Sequence, residues 1–256
     1  MRIDVITLFP EIFLALDASI PGRARKSGAL ELRCHNLRDF AINKYGQVDD
    51  MPFGGEAGMV LRPEPLKGAL DKVLGELAVS GIADGSTPTP ASPAKRPHVV
   101  HMAATGRNFT QNRAKELAEM ENLLIICGHY KGIDQRFCDA YVDEELSIGD
   151  YVLSGGELPA MVVIDAIARL LPGVLGDPAS AETDSFYLPN RLGWPVYTRP
   201  QVFEGKAVPE ALVSGHHENI RKWRTKASLE LTRRNRPDLF GLLKLSDEEK
   251  KLLEGP

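Results

Sequence analysis

The sequence predicts an α/β domain with a largely parallel sheet, followed by a smaller helical and basic domain. The first part is predicted by short apolar β-rich runs that alternate with amphipathic helical patterns through residues 1–175, because this order is typical of parallel sheets. The second part is set apart by its charge. From Arg191 onward 13 Lys and Arg residues stand against 9 Asp and Glu, a net charge of +4, whereas residues 1–190 carry −8.

The predicted strands are the apolar runs at residues 3–8, 30–37, 59–61, 98–104, 122–128 and 146–154. Helical patterns lie between them, near residues 63–79, 109–120 and 157–171, with apolar positions at helical spacing. Residues 80–97 are rich in Pro, Ser, Ala and Gly. Such a segment cannot bury enough apolar surface to offset its ordering entropy, so we expect a mobile insertion there.

Pro and Gly punctuate residues 176–195, which predicts a linker. The domain organisation is therefore an α/β domain at 1–175, the linker at 176–195 and a helical domain at 196–256. Ser246 and Glu249 have the spacing of a capping box at the start of a last helix. The run "RKWRTKASLELTRRNRP" at residues 221–237 suits binding to a phosphate backbone, although a solvated helix face explains the same charge.

Several functional classes are disfavoured by the sequence. No apolar run is long enough to cross a bilayer, and the opening "MRIDVITLFPEIF" predicts a first strand and helix rather than a signal peptide. The three cysteines, Cys34, Cys127 and Cys138, form no C-x-x-C pair. They favour a reducing, cytoplasmic location and argue against a disulfide framework or a cysteine zinc site.

Motifs of the common nucleotide and hydrolase sites are missing. The chain has no G-x-G-x-x-G after its first strand, no G-x-x-x-x-G-K-[ST] and no G-x-S-x-G, which argues against a dinucleotide fold, a P-loop NTPase and an α/β-hydrolase. His216 and His217 are adjacent, and this spacing does not present two imidazoles to one metal ion. A metal hydrolase therefore has no ligand spacing in its favour.

Small or glycine-bearing loops follow three predicted strands, at residues 102–106, 127–132 and 147–157. Ligands of open α/β sheets bind at the carboxyl ends of strands, and glycine lets backbone groups approach a ligand closely. Together the loops predict a backbone cradle, although a tight turn explains each loop alone.

The chain resembles the bacterial tRNA (guanine-N1)-methyltransferases of the SPOUT class, which methylate guanine at tRNA position 37. The resemblance is carried by "ITLFPEIF", "DDMPFGGEAGMVLRPEP", "CGHYKGID", "SIGDYVLSGGELPAMVVIDAIARLLPGVLG", "DSF", "YTRP" and "SGHHENIRKWR". It implies a SPOUT-type domain with a parallel sheet and a C-terminal trefoil knot, plus a small helical C-terminal domain that binds tRNA. It also implies S-adenosylmethionine in the knot, dependence on Mg2+ and a homodimer with active sites at the subunit interface.

The resemblance assigns cofactor binding to the three loops. The positions are Met102, Ala103, Ala104, Gly128, Tyr130, Gly132, Ile148, Gly149, Tyr151, Leu153, Gly155 and Gly156. Adenine needs apolar walls and a few main-chain partners, which such loops supply. An alternative for Tyr151 and Leu153 is burial in the core of a strand.

The resemblance places catalysis on Asp184, in "DSF", and on Arg169, late in the helix after "GGELPA". Guanine N1 carries a proton, so a base has to remove it as the methyl group transfers, and a tuned carboxylate suits this task. Negative charge then builds on guanine O6, which a guanidinium stabilises. Without the resemblance, Asp184 is a helix cap or a loop residue, and Arg169 is a cation interacting with a helix dipole.

For tRNA binding the resemblance points to Arg191, Arg199, His217, Arg221, Trp223 and Arg224. Glu182 and Asp184 are the nearest carboxylates for Mg2+. Two alternatives stay open: another RNA specificity within the SPOUT class, and a non-catalytic RNA-binding relative. Retention of Asp184, Arg169 and the glycine loops argues against the second.

Two regions depart from the family pattern. The family usually has "GRYEGID", where this chain has His129 and Lys131. A lysine here either repels the cofactor ammonium, reaches its carboxylate or turns to solvent. The linker "YLPNRLGWPVYTRP" also replaces a more usual "LLDCPHYTRP" ending.

Overall fold

The computed structural model describes residues 1–80, 96–177 and 183–254. The chain divides into two compact units, an N-terminal unit at Met1–Gly176 and a C-terminal unit at Asp177–Pro256. Most of the predicted mobile insertion, residues 81–95, lies outside the described residues, as does the predicted magnesium ligand Glu182. Within the described part of the chain, no helix has the length and apolar character that a membrane crossing requires.

A five-stranded parallel sheet organises the N-terminal unit, with the order β2-β1-β6-β5-β7. A short antiparallel pair, β3 with β4, lies outside it. The strands are β1 (Arg2–Thr7), β2 (Glu31–Asn36), β3 (Asp49–Asp50), β4 (Val60–Leu61), β5 (His98–Asn108), β6 (Asn122–Cys127) and β7 (Glu144–Ser147). The predicted α/β class with a parallel sheet is confirmed. The prediction of one strand over 146–154 is wrong beyond Ser147, because the chain turns at Gly149, whose φ of +146° lies in the region that favours glycine.

Helices cover both faces of this sheet. The elements are a 3-10 helix at Pro10–Asp17, α1 (Ser19–Lys26), a 3-10 helix at Leu37–Phe40, α2 (Pro63–Ser80), α3 (Gln111–Ala118), α4 (Gln135–Tyr141) and α5 (Glu157–Ala168). Alternate residues of β6 face opposite ways. Leu123 and Ile125 join a core with Val163 and Ile164 of α5, while Leu124 and Ile126 join residues of α2 and α4 in a second core. Because both faces of the sheet are covered, its strands are near-continuous apolar runs.

The segment after β7 crosses the carboxyl edge of the sheet. β7 is an edge strand beside β5, yet the Gly156 N–H donates to the Gly128 carbonyl at the end of β6, at 2.8 Å. His129 and Gly155 also form an isolated bridge. Along β5, both Met102 and Arg107 align with Leu146, so residues 103–106 bulge out of the ladder. This path brings the ends of β5, β6 and β7 together.

The C-terminal unit is mostly helical. Its elements are the hairpin β8 (Val202–Phe203) with β9 (Lys206–Ala207), then α6 (Glu210–Val213), α7 (His217–Asn235), α8 (Pro237–Phe240) and α9 (Asp247–Glu254). The predicted capping box is confirmed, since Ser246 Oγ accepts from Glu249 N–H and Glu249 Oε2 accepts from Ser246 N–H. Leu192 is held against α7 by Ser228 and Thr232, so this part of the predicted linker packs on the helix.

A buried ionic group joins β1 to β2 and gives a testable stability effect. Asp4 Oδ2 accepts from Arg2 Nε at 2.7 Å and Asp4 Oδ1 contacts His35 Nε2 at 2.7 Å. Burial alone opposes ionisation, but the hydrogen bonds from His35 and Arg2 outweigh it and hold the pKa of Asp4 below its ordinary value. The stabilisation is therefore present above the unfolded-state pKa and is lost as the pH falls through the lower folded-state pKa.

We expect Asp4→Asn to lower the free energy of unfolding by about 3 kcal/mol at pH 7, because it removes the buried carboxylate that pairs with Arg2 and leaves that guanidinium with Glu76 as its acidic partner. The difference from the wild type should narrow as the pH falls below about 4, the ordinary pKa of an aspartate, because Asp4 of the unfolded chain takes up a proton before Asp4 of the folded chain does. Urea unfolding at several pH values measures this. Asp71→Asn, which breaks the exposed pair with Lys67 on α2, is the control expected to change little. A deficit that persists unchanged at pH 3 would contradict the explanation.

Candidate functional site

A cavity of about 380 Å³ opens at the carboxyl ends of β5, β6 and β7. All of the predicted cofactor-binding positions line it: Met102, Ala103, Ala104, Gly128, Tyr130, Gly132, Ile148, Gly149, Tyr151, Leu153, Gly155 and Gly156. The structure thus brings together three loops that are far apart in sequence. The volume falls within the roughly 300–1,000 Å³ of small-molecule sites.

The glycines of the third loop are required by close backbone packing. A Cβ on Gly156 would lie 2.7 Å from the Cα of Cys127, and one on Gly155 would lie 2.2 Å from His129 Nε2. Gly128 is required for a similar reason, since a Cβ at this position would lie 2.8 Å from His101 Nε2. These glycines let the crossing segment lie directly on the end of β6, which forms the floor of the cavity.

Aromatic and apolar side chains border the opening. Tyr151 and Leu153 are exposed rather than buried, so the alternative that they are strand core residues is wrong. Tyr130 is half-exposed and has a positive φ of 60°, an uncommon conformation for a residue with a side chain. The cavity therefore has apolar walls near solvent and main-chain groups in its depth.

The side chain of His129 is mostly buried, and its hydrogen-bond partner is the first residue of α5. Its Nε2 lies 3.0 Å from Oε2 of the buried Glu157, whose Oε1 accepts from Thr7 Oγ1 at 2.7 Å. The ring also packs against Phe9, with centroids 5.1 Å apart. The first residue of α5 is thereby linked to the ends of β1 and β6, a polar network that the sequence did not predict.

Lys131 lies along the glycine loop at residues 54–58. Its Nζ is 3.8 Å from Glu56 Oε2, and both side chains are exposed. A Cβ on Gly58 would lie 3.0 Å from Lys131 Cγ, so the lysine stem passes closely over this glycine. The positive charge that departs from the family pattern thus has an acidic neighbour within the chain.

A cluster of the buried His101 and Cys138 with the partly exposed Glu145 lines the same cavity and was missed by sequence reasoning. The residues come from β5, α4 and β7, so no spacing along the chain connects them. In the sequence, these residues are distinguished by their position in elements that border the glycine loops.

The predicted catalytic residues lie in different units. Arg169 follows the last residue of α5 in the N-terminal unit, and Asp184 belongs to the C-terminal unit. Along α5, the exposed positions are Leu158, Val162, Asp165 and Arg169, a spacing that places them on one helix face. Arg169 thus ends an exposed stripe that begins at the cavity.

The predicted tRNA-binding residues of the C-terminal unit cluster around α7. Arg224 lies over the ring of Trp194, 5.0 Å from its centroid, and Trp223 packs edge-on against Tyr197. Arg199 and Arg224 line a second cavity of about 510 Å³, and His217 begins α7. Two further predicted residues form ion pairs. Arg191 pairs with Glu249, and Arg221 pairs with both Glu218 and Glu248. Those two arginines already have acidic partners within the unit.

Comparison with known proteins identifies the family to which this chain belongs. The model of the family "tRNA (Guanine-1)-methyltransferase TrmD" matches residues 1–242. Proteins named tRNA (guanine-N(1)-)-methyltransferase from Moorella thermoacetica and Desulforamulus reducens are each 50% identical, over 255 and 254 residues, covering 99% of this chain and 96% and 94% of theirs. One from Clostridium perfringens strain SM101 is 46% identical and covers 99% of both chains. The chain therefore belongs to the tRNA (guanine-N1)-methyltransferase family.

Proposed function

We propose that this protein transfers a methyl group from S-adenosylmethionine to N1 of guanine at position 37 of tRNA. Relatives with the tRNA (guanine-N(1)-)-methyltransferase name cover 99% of the chain. The observation that carries the proposal is the convergence of the three family loops on one cavity.

The cavity suits the methyl donor. Adenine needs apolar walls and main-chain partners, and the loops around Met102, Gly128 and Ile148 offer both. When bound, S-adenosylmethionine supplies a methyl group activated by a positively charged sulfur. The crossing segment 148–156, together with the bulge at 103–106, supports the further inference that this part of the chain forms the trefoil knot of the SPOUT class.

Asp184 is proposed as the base that takes the proton from guanine N1, and Arg169 as the cation that stabilises charge on O6. A carboxylate that accepts a proton from N1 and a guanidinium that keeps its charge beside O6 are complementary roles at neighbouring positions of one base. Both groups act on the same nucleotide in this proposal. The tRNA therefore has to be bound before the methyl group is transferred.

The length of α5 indicates where Arg169 acts. Gly156 touches the cavity, while Arg169 lies thirteen residues further on, roughly 20 Å along the helix at about 1.5 Å per residue. An arginine side chain does not span that distance. Arg169 is therefore proposed to serve the active site of a second copy of the chain.

A homodimer is supported by the exposed stripe on α5. Leu158 is 54% exposed and Val162 48%, and Val152 of the crossing segment is also exposed. Contiguous exposed apolar surface marks interaction sites. If two copies pair antiparallel about a two-fold axis near Val162, each Arg169 lies opposite the cavity end of the other α5.

We expect Val162→Glu to convert the dimer to a monomer at micromolar concentration and to lower methyl transfer with it, because two carboxylates would face each other across the axis. Light scattering after gel filtration measures the mass. Val79→Glu, at an exposed valine of α2, is the matched control and should leave the mass unchanged. Dimeric Val162→Glu protein would contradict this interface.

Three finer features stay predictions of the resemblance. The C-terminal unit is proposed to bind tRNA through Arg199, His217, Trp223 and Arg224, with Arg191 and Arg221 in supporting ion pairs. The cytoplasm is the proposed location. Mg2+ prefers an all-oxygen ligand set, and each three-residue metal-type cluster in residues 1–80, 96–177 and 183–254 includes a histidine. Dependence on Mg2+ therefore stays a prediction of the resemblance, and no step is assigned to it.

Methyl transfer from labelled S-adenosylmethionine to tRNA transcripts tests the proposed function. Transcripts with guanine at position 37 should be methylated, and the same transcripts with adenine there should not. Equal labelling of both would point to another RNA specificity, and labelling of neither to a non-catalytic relative.

A further inference from the structure

A mostly buried cluster on the wall of the cavity has the composition of a metal site. His101 and Cys138 are only 5% and 8% exposed, and Glu145 reaches them from β7. His101 Nδ1 lies 2.9 Å from Glu145 Oε1, Cys138 Sγ lies 3.8 Å from the same oxygen, and Sγ is 4.0 Å from Nδ1. All three potential ligand atoms thus lie within 4.0 Å of one another.

These separations are close to those around zinc. With metal–ligand bonds of about 2.0–2.3 Å in a tetrahedron, ligand atoms lie roughly 3.3–3.6 Å apart. Each observed separation differs from this by about half an ångström or less, an adjustment that side-chain rotation supplies. Imidazole, thiolate and carboxylate together favour zinc over magnesium or calcium.

We propose that His101, Cys138 and Glu145 bind one zinc-class divalent ion, with a fourth coordination position open to the cavity. The open position follows because all three residues line that cavity, and a water molecule or a ligand oxygen would fill it. Three protein ligands with one free position is the arrangement of reactive rather than closed structural zinc sites.

The charges balance in this site. A free thiol carries its proton near neutral pH, whereas a metal ion binds cysteine as the thiolate and histidine as the neutral imidazole. Zinc binding breaks the S–H bond and releases that proton to solvent, while the proton on Nδ1 moves to Nε2. One thiolate and one carboxylate then neutralise the two positive charges of the ion.

The second cluster of this type in the described residues, Asp4, His35 and Glu76, does not offer an equivalent site. Arg2 and Arg33 already pair with its carboxylates, Arg2 with Asp4 and both arginines with Glu76. A cation would have to displace two guanidinium groups. This cluster therefore serves as a control for binding at the first.

Metal-stripped protein titrated with Zn2+ against a chromophoric chelator tests the proposal, and Co2+ substitution identifies the ligands. We expect one ion per chain and a near-ultraviolet thiolate-to-cobalt absorption band. Cys138→Ser should remove the band and weaken zinc binding at least tenfold. Even the loss of a residue that only hydrogen-bonds to a metal ligand lowers metal affinity by about 10- to 100-fold. Cys34→Ser and His35→Gln should bind as the wild type does.

Glu145→Gln provides a second variant if Cys138→Ser does not fold, and it should also weaken zinc binding at least tenfold. Failure of the wild type to retain equimolar zinc would overturn the proposal, as would a cobalt band that survives in Cys138→Ser or zinc binding that depends on His35. None of these measurements uses methyl transfer, so their failure is distinguishable from failure of the proposed function.

Discussion

Replacing Asp184 with alanine is expected to lower the rate of methyl transfer by about 10²- to 10⁴-fold, the usual contribution of a general base. Binding of S-adenosylmethionine should stay within about twofold of the wild type, because the loops of the N-terminal unit alone build the cavity. Guanine N1 keeps its proton when no base is present and is then a poor nucleophile. The loss should therefore fall on turnover rather than on affinity for the methyl donor.

Asp184→Asn separates the proton-accepting role from hydrogen bonding, since the amide has nearly the same shape but does not take up a proton. It should be almost as inactive as the alanine variant. Asp238→Asn is the matched control, because Asp238 is an exposed aspartate of the same unit, paired with Arg236. Single-turnover assays with labelled donor and equilibrium dialysis measure the two quantities. An asparagine variant with full activity would remove the base assignment.

The sequence predicted the sheet well because burial on both faces leaves a strong signal. The run from Leu123 to Ile126 is apolar at every position, and both cores receive alternate residues from it. The strand end at Ser147 was harder to predict. Tyr151, Val152 and Leu153 are apolar or aromatic, as strand residues often are, yet they lie exposed on the crossing segment and border the cavity.

The loops of the site could be predicted, but the contacts among them could not. Glycines such as Gly155 and Gly156 are visible in the sequence, whereas the reason for them, contact with His129 and with the backbone of Cys127, is tertiary. The same holds for the cluster of His101, Cys138 and Glu145. Absence of a C-x-x-C pair argued against a cysteine zinc site, but a pairing rule along the chain does not detect ligands from three separate elements.

The position of Arg169 gives the sharpest prediction about the assembly. Arg169→Ala should lower methyl transfer by about 10²- to 10³-fold, the usual cost of removing one group that stabilises developing negative charge. Ala104→Trp should also inactivate the protein, because Ala104 is exposed and lines the cavity, where an indole would occupy the space of the methyl donor. Arg25→Ala, at a partly exposed arginine of α1 paired with Asp17, is the control that should retain activity.

Mixed dimers of these two inactive variants show which chain supplies the arginine. Co-expression with two affinity tags and sequential purification isolates dimers with one Arg169→Ala chain and one Ala104→Trp chain. If α5 presents Arg169 to the second copy, one site of each mixed dimer combines an intact cavity with an intact arginine, and activity should return to about half that of the wild type. If Arg169 acts within its own chain, both sites are damaged and the mixed dimer stays as inactive as its parents. The roughly 20 Å that α5 places between its cavity end and Arg169 favours the first outcome.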